Sequence, residues 1–137
     1  MSAPVIRFRI DFANNCFVGP GKIDLLEAIR RSGSLSQAAR DLDMSYRRAW
    51  LLIDSLKNSF REPVTVAATG GKGGGGVTLT RFGEQLVESY RVLERDIAVV
   101  ASRRLRDVAP AVKGRAVAKS VSSRRPLARK RRRKLGE

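Results

Sequence analysis

The sequence contains no histidine and a single cysteine, Cys16. The first absence removes Ser-His-Asp and Cys-His catalysis, Cys/His zinc fingers and His-ligated metals. The second removes intrachain disulfides, four-cysteine zinc sites and CxxC redox chemistry. Without a histidine to activate it, Cys16 reads as a small, partly buried hydrophobe rather than a nucleophile. Nowhere do 18 consecutive apolar residues occur, so no spanning helix is expected. The first residues, Met-Ser-Ala-Pro-Val-Ile-Arg-Phe-Arg, have neither an apolar core nor a cleavage pattern of the secretory kind. These features lead to the expectation of a soluble, cytoplasmic protein without a membrane association.

Acidic residues are scarce too: 28 Lys+Arg stand against 13 Asp+Glu, a net +15 in 137 residues. That length suits one ordinary domain with an appendage. The imbalance favours an anionic partner. It is also uneven. Residues 1–102 hold 14 basic and 11 acidic side chains, whereas residues 103–137 hold 14 and two, so +12 of the +15 lies in the last quarter. That quarter includes the run Arg129-Lys-Arg-Arg-Arg-Lys134, has no aromatic residue and has no sustained apolar period. Too little surface could be buried there to offset the entropy of ordering, so residues 107–137 are expected to be a disordered basic tail.

The remainder carries periodic signals. Ile6, Phe8, Ile10 and Phe12 alternate with Arg7, Arg9 and Asp11, the pattern of a half-buried strand over residues 5–12. Asn14-Asn15 suit a turn, with Cys16-Phe17-Val18 returning as a second short strand. Ile23, Leu25, Leu26 and Ile29 predict a helix over about 22–31, closed by Gly33. Ser34 and Gln37 read as a capping box opening a short helix with Leu35, Ala38, Ala39 and Leu42 inward. Ser45 caps a longer helix whose inward stripe is Ala49, Leu52, Ile53, Leu56 and Phe60; Pro63 stops it. Val64–Ala68 and Val77–Thr80 read as a hairpin around the glycine loop 70–76. Thr80 caps a last helix, expected over 81–106, whose apolar positions Leu86, Tyr90, Leu93, Ile97 and Val100 repeat with the 3.5-residue period of a helix–helix seam. Packing on its own domain is the alternative, and for the first two turns both are expected.

The fold expected is mainly α with small β: a winged helix-turn-helix over 1–80, a long dimerisation helix over 81–106, and the tail. In that motif the second helix of the pair enters the DNA major groove. The side of that helix away from its stripe carries Tyr46, Arg47, Trp50 and then Asp54, flanked by Arg48 and Leu51. An arginine there can pair with guanine O6/N7; Tyr46 can meet a phosphate or a thymine methyl. The other possibility is that the aromatics edge the core and the arginines are merely solvated.

Gly71-x-Gly73-x-x-Gly76 formally matches a dinucleotide fingerprint. That fingerprint must run from a strand into a helix, and here a strand follows. The glycines suit a wing tip instead, where Lys72 adds charge. Asp41/Asp43 and Glu94/Asp96 sit beside arginines and read as surface ion pairing, not acid–base machinery. No enzyme, metal or cofactor is expected.

Gly33-Ser-Leu-Ser-Gln-Ala-Ala39, Ser45-Tyr-Arg-Arg-Ala-Trp50, Asn58, Pro63, the loop Gly70–Gly76 and Leu79-Thr-Arg-Phe-Gly83 together resemble the N-terminal DNA-binding domain of the ModE family. Those are molybdate-responsive bacterial regulators, with a winged helix similar to that of LysR-type regulators. The resemblance covers about residues 5–97. The GSLSQAA element occurs in many winged helices; the SYxxAW element followed by a glycine-rich wing is more restricted. The resemblance implies transcriptional regulation on double-stranded DNA and dimerisation through the helix after the wing. The residues expected at the DNA are Ser34, Ser36, Gln37, Ser45, Tyr46, Arg47, Arg48, Trp50, Lys72 and Arg81, and those expected at the seam of a homodimer are Leu86, Tyr90, Leu93, Ile97 and Val100. ModE regulators carry oxyanion-binding domains after the dimerisation helix, where this sequence has its basic segment. The expectation is therefore a DNA-binding module without a small-molecule ligand of its own. Two readings of other classes stay open: a nucleoid-type binder of low specificity driven by the tail, and an adaptor whose last helix docks another protein.

Overall fold

The computed structural model describes residues 4–68 and 76–114. Within them the order is β1 (Ile10–Asp11), β2 (Phe17–Val18), α1 (Pro20–Ser32), α2 (Leu35–Asp41), α3 (Tyr46–Ser59), β3 (Thr65–Ala68), β4 (Gly76–Leu79), α4 (Arg81–Arg104) and a 3-10 helix at Ala109–Ala111. The described residues divide into two units, one within 7–96 and a second comprising 4–6 and 97–114.

In the 7–96 unit, helix ends follow the local chemistry. Pro20 opens α1, where its missing N–H is no loss. Gly33 closes it with φ 73, a conformation that favours glycine, and its N–H donates to Ile29 O at 2.7 Å. The Gly33 carbonyl accepts the Val77 N–H at 3.0 Å, which ties β4 to the end of α1. Ser34 Oγ accepts the Gln37 N–H at 3.1 Å. The reciprocal half of the expected capping box is not made. Gln37 Nε2 donates to Asp41 and its Oε1 accepts from Arg40, each at 2.7 Å, while the Ser34 N–H donates to Ser32 Oγ at 3.3 Å. An amide already held within its own helix does not reach back to the cap.

The first strand is much shorter than its alternation suggests. Burial does alternate over residues 4–11, but β2 offers a partner only to Ile10 and Asp11. Phe12, expected inward, is exposed. Its N–H donates to Cys16 O at 2.7 Å as the chain turns through Asn14 and Asn15, both at positive φ. Its ring meets Phe60 edge-on at 6.1 Å.

The core of this unit is built from α1 (Ile23, Leu25, Leu26, Ile29), the alanines Ala38 and Ala39 of α2, Ala49 and Leu56 of α3, and Val87 and Tyr90 of α4. β3 and β4 pair antiparallel, Thr65 with Leu79 through Ala68 with Gly76. The turn into α4 is close. Thr80 Oγ1 donates to Pro63 O at 2.7 Å and accepts the Gly83 N–H at 2.9 Å. Gly83 lies so near Val64 that a Cβ there would overlap the Val64 carbonyl. Three helices with a two-stranded wing and a long following helix make a winged helix-turn-helix.

In the second unit, α4 ends with basic residues Arg103 and Arg104, which suit the negative end of the helix dipole. Leu105 N–H donates to Ala101 O at 2.8 Å, and the short 3-10 helix follows. The tail expected from residue 107 therefore begins with this turn. The basic run 129–134 lies outside the described residues, as do Lys72 and the glycines 70–75.

Candidate nucleic-acid interface

Helices α2 and α3 are joined by Leu42–Ser45. Met44 N–H donates to Ala39 O at 2.9 Å, and Asp43 takes φ 57 to make the bend. Ser45 then caps α3, its Oγ accepting the Arg48 N–H at 3.0 Å. The fully buried Ala49 and Leu56 fix the rotation of α3. Helical spacing then turns Arg47, Leu51, Asp54 and Asn58 directly away from the core, with Tyr46, Trp50 and Lys57 along one edge. Tyr46 is 56%, Trp50 48% and Leu51 46% exposed. Both aromatics are therefore about half exposed beside the core. Leu51, expected to flank this face, is outward as the spacing of the inward stripe requires.

Charge on this face is uncommitted. Among the described residues neither Arg47 nor Arg48 is in an ion pair. Asp54 accepts from Asn58 Nδ2 at 3.3 Å, one turn along. By contrast Arg91 donates to both oxygens of Glu27, at 2.7 and 3.1 Å, to Asp24 at 2.8 Å and to Glu94 at 3.0 Å. These hydrogen bonds raise the guanidinium's affinity for its proton still further. They also hold the Glu27 carboxyl below its usual range. Arg30 reaches Glu84 at 2.7 Å. Asp24, Glu27, Glu84 and Glu94 are thus engaged between α1 and α4, while Asp54 shares the outward side of α3 with Arg47.

Behind α3 stands a residue that no sequence pattern singles out. Lys22, at 2% exposure, donates from Nζ to Phe17 O at 2.8 Å and to Ser55 Oγ on α3 at 2.9 Å. Its ammonium lies 3.6 Å from the Phe17 ring centroid. Burial lowers its pKa, opposed by the neighbouring Cys16 and aided by Arg9.

The family model for bacterial regulatory helix-turn-helix proteins of the lysR family matches residues 21–84. The chain is 42% identical over 85 residues to the molybdenum-pterin-binding protein MopB of Rhodobacter capsulatus, covering 62% of this chain and 32% of that protein. It is 47% identical over 73 residues to the molybdenum transport protein ModE of Azotobacter vinelandii, covering 53% and 27%. Over 77 residues it is 44% identical to the DNA-binding transcriptional dual regulator ModE of Escherichia coli K12, covering 56% and 29%. Residues 21–84 are a helix-turn-helix segment similar to the ModE relatives. The chain spans about a third or less of the length of these relatives.

In this helix-turn-helix segment, Ser45, Tyr46, Arg47, Arg48 and Trp50 all occupy exposed positions of α3 and its cap. Ser34, Ser36 and Gln37 are half-buried at the start of α2, and Arg81 is exposed at the start of α4. The residues expected at a dimer seam do not stay together. Tyr90 belongs to the core: it stacks on Phe8 with centroids 4.5 Å apart and donates its OH to Phe8 O at 2.6 Å. Desolvation, with the Glu94 charge beside it, pushes its pKa up to about 12. Leu86 packs against the same core. Leu93 is exposed in the 7–96 unit; in the other, Val100 is exposed and Ile97 half-buried. The exposed apolar residues of α4 are Val92 and Leu93, then Val99 and Val100.

Proposed function

We propose that the chain is a sequence-specific DNA-binding transcriptional regulator of the ModE type, with α3 in the major groove. The observation that carries this reading is the outward side of α3. Two arginines outside any ion pair among the described residues, and an aromatic pair, project from a helix capped by Ser45. They lie within the segment that matches regulatory helix-turn-helix proteins. A recognition helix reads bases with its N-terminal residues, and Arg47 is the candidate for guanine. Ser34, Ser36, Gln37 and Arg81 are candidates for phosphate contacts, which orient the protein without reading sequence. The E. coli relative is by name a DNA-binding transcriptional dual regulator, which supports the same assignment.

The protein acts as a homodimer through the exposed apolar residues of α4, so that two copies of α3 meet two half-sites. Leu93→Asp is expected to give a monomer in sedimentation and to weaken binding to a two-half-site duplex about tenfold or more, through loss of effective concentration. An unchanged dimer would rule the α4 interface out.

The deciding experiment is selection of duplexes from random DNA by the full chain, then comparison of selected and random duplexes at one stated salt. A preference of about a thousandfold or more supports a regulator. A second reading has one observation in its favour, the +12 on residues 103–137. A low-specificity binder would hold all duplexes alike, and deleting residues 107–137 would abolish binding. For the regulator, that deletion lowers specific and random affinity by similar factors and leaves the preference intact.

A further inference from the structure

The outward side of α3 is less polar than a groove helix needs to be for phosphate contacts alone. Tyr46, Trp50 and Leu51 are about half exposed, and they share the first two turns with Arg47 and Arg48. Spacing sets Leu51 one turn beyond Arg47 and Trp50 one turn beyond Tyr46. The result is an apolar strip with cations at its N-terminal end. An exposed tryptophan beside an exposed leucine does nothing for the stability of the isolated domain, and such a patch marks a contact surface.

The partner must offer apolar surface bordered by negative charge. Duplex DNA does so in one place. The thymine C5 methyl is the one apolar group that a base pair presents in the major groove, and phosphates line both sides. We infer that Trp50 and Leu51 read thymine by its C5 methyl, so that methyl groups at defined positions contribute to binding and uracil does not replace thymine there. Cytosine is disfavoured for the same reason as uracil, since its C5 carries hydrogen in place of the methyl. This inference rests on the assignment of α3 as the groove helix and adds which base chemistry its apolar residues recognise.

The test uses the full chain and a duplex selected from random DNA. Each thymine is replaced singly by deoxyuridine, which removes the methyl and keeps every hydrogen-bonding group. At one or more positions affinity should fall about fourfold, the value of one methyl group taken out of water. Trp50→Ala and Leu51→Ala should each weaken binding to the thymine duplex and erase the thymine–uracil difference at one position. Arg47→Ala should weaken binding and leave that difference in place. Because all three side chains are exposed, unchanged thermal unfolding is the control for folding. If uracil serves as well as thymine at every position, or the difference survives both apolar substitutions, methyl reading is overturned while the groove helix stands. If no sequence emerges from selection, or none of the three substitutions affects binding, the groove assignment falls with it. The strip would then be a protein-docking surface.

Discussion

Lys22 Nζ on α1 donates a 2.9 Å hydrogen bond to Ser55 Oγ on α3, and the same ammonium holds the Phe17 carbonyl at 2.8 Å. One buried cation therefore links the return strand, the first helix and the rear of α3. Lys22→Met keeps the aliphatic length and leaves both acceptors unpaired. The expected loss is about 1–3 kcal/mol, read as a lower denaturation midpoint with unchanged slope. A variant as stable as the parent would show that the link contributes nothing net.

Gly83 is expected to be intolerant of any side chain. Its Cβ would overlap the Val64 carbonyl, whose oxygen accepts the Thr80 N–H at 3.0 Å. Neither backbone can move without breaking the wing's attachment to α4. Gly83→Ala should destabilise by roughly 1–3 kcal/mol, although alanine is ordinarily the better helix former. A stabilised variant would contradict the close approach.

Base reading through Arg47 predicts a graded outcome on DNA. Arg47→Ala should cost about 1–3 kcal/mol on the preferred duplex and relax the preference at one base position. Arg81→Ala, at a phosphate candidate, should weaken all duplexes alike and make log K less steep in log salt by about one unit. A uniform loss from Arg47→Ala would place that arginine at the backbone instead.

The Arg91–Glu27 pair predicts a particular dependence on acid. Its hydrogen bonds depress the Glu27 pKa in the folded state below the ordinary carboxyl value of 4.5. The stabilisation is therefore complete above that value and is lost as pH falls through the folded pKa. Glu27→Gln should lower stability at neutral pH and flatten the fall in urea midpoint below about pH 4.5. Identical acid curves for the two proteins would show that other carboxylates govern the transition.

Tyr90→Phe isolates one hydrogen bond. The ring can still stack on Phe8, but the Phe8 carbonyl loses the donor now 2.6 Å away. About 1–2 kcal/mol of stability should be lost, with no change in oligomeric state. A shift toward monomer on sedimentation would return Tyr90 to the seam that its spacing suggests.

Local chemistry alone determined much of this protein. The stripe Ala49, Leu52, Ile53 and Leu56, the caps Ser34 and Ser45, Gly33 after α1 and Asn14-Asn15 in the turn each act over a few residues. The helices and the outward side of α3 are therefore legible in the sequence. Only tertiary structure decided the rest, because it depended on partners far along the chain. Residue 90 fits a helix–helix period, yet its direction was settled by Phe8, 82 residues away in sequence. The alternation over 5–12 is that of a strand, but its length was set by how little of β2 could pair with it. Lys22 follows a glycine at the start of a helix, where a cation is ordinarily solvated; Phe17 and Ser55 supplied the oxygens that let it be buried. Arg91 is one charge among many along its helix until α1 brings Asp24 and Glu27 to it. Hydrophobic period and capping are short-range, whereas the satisfaction of a buried charge or hydroxyl requires a partner that only the folded chain brings within reach.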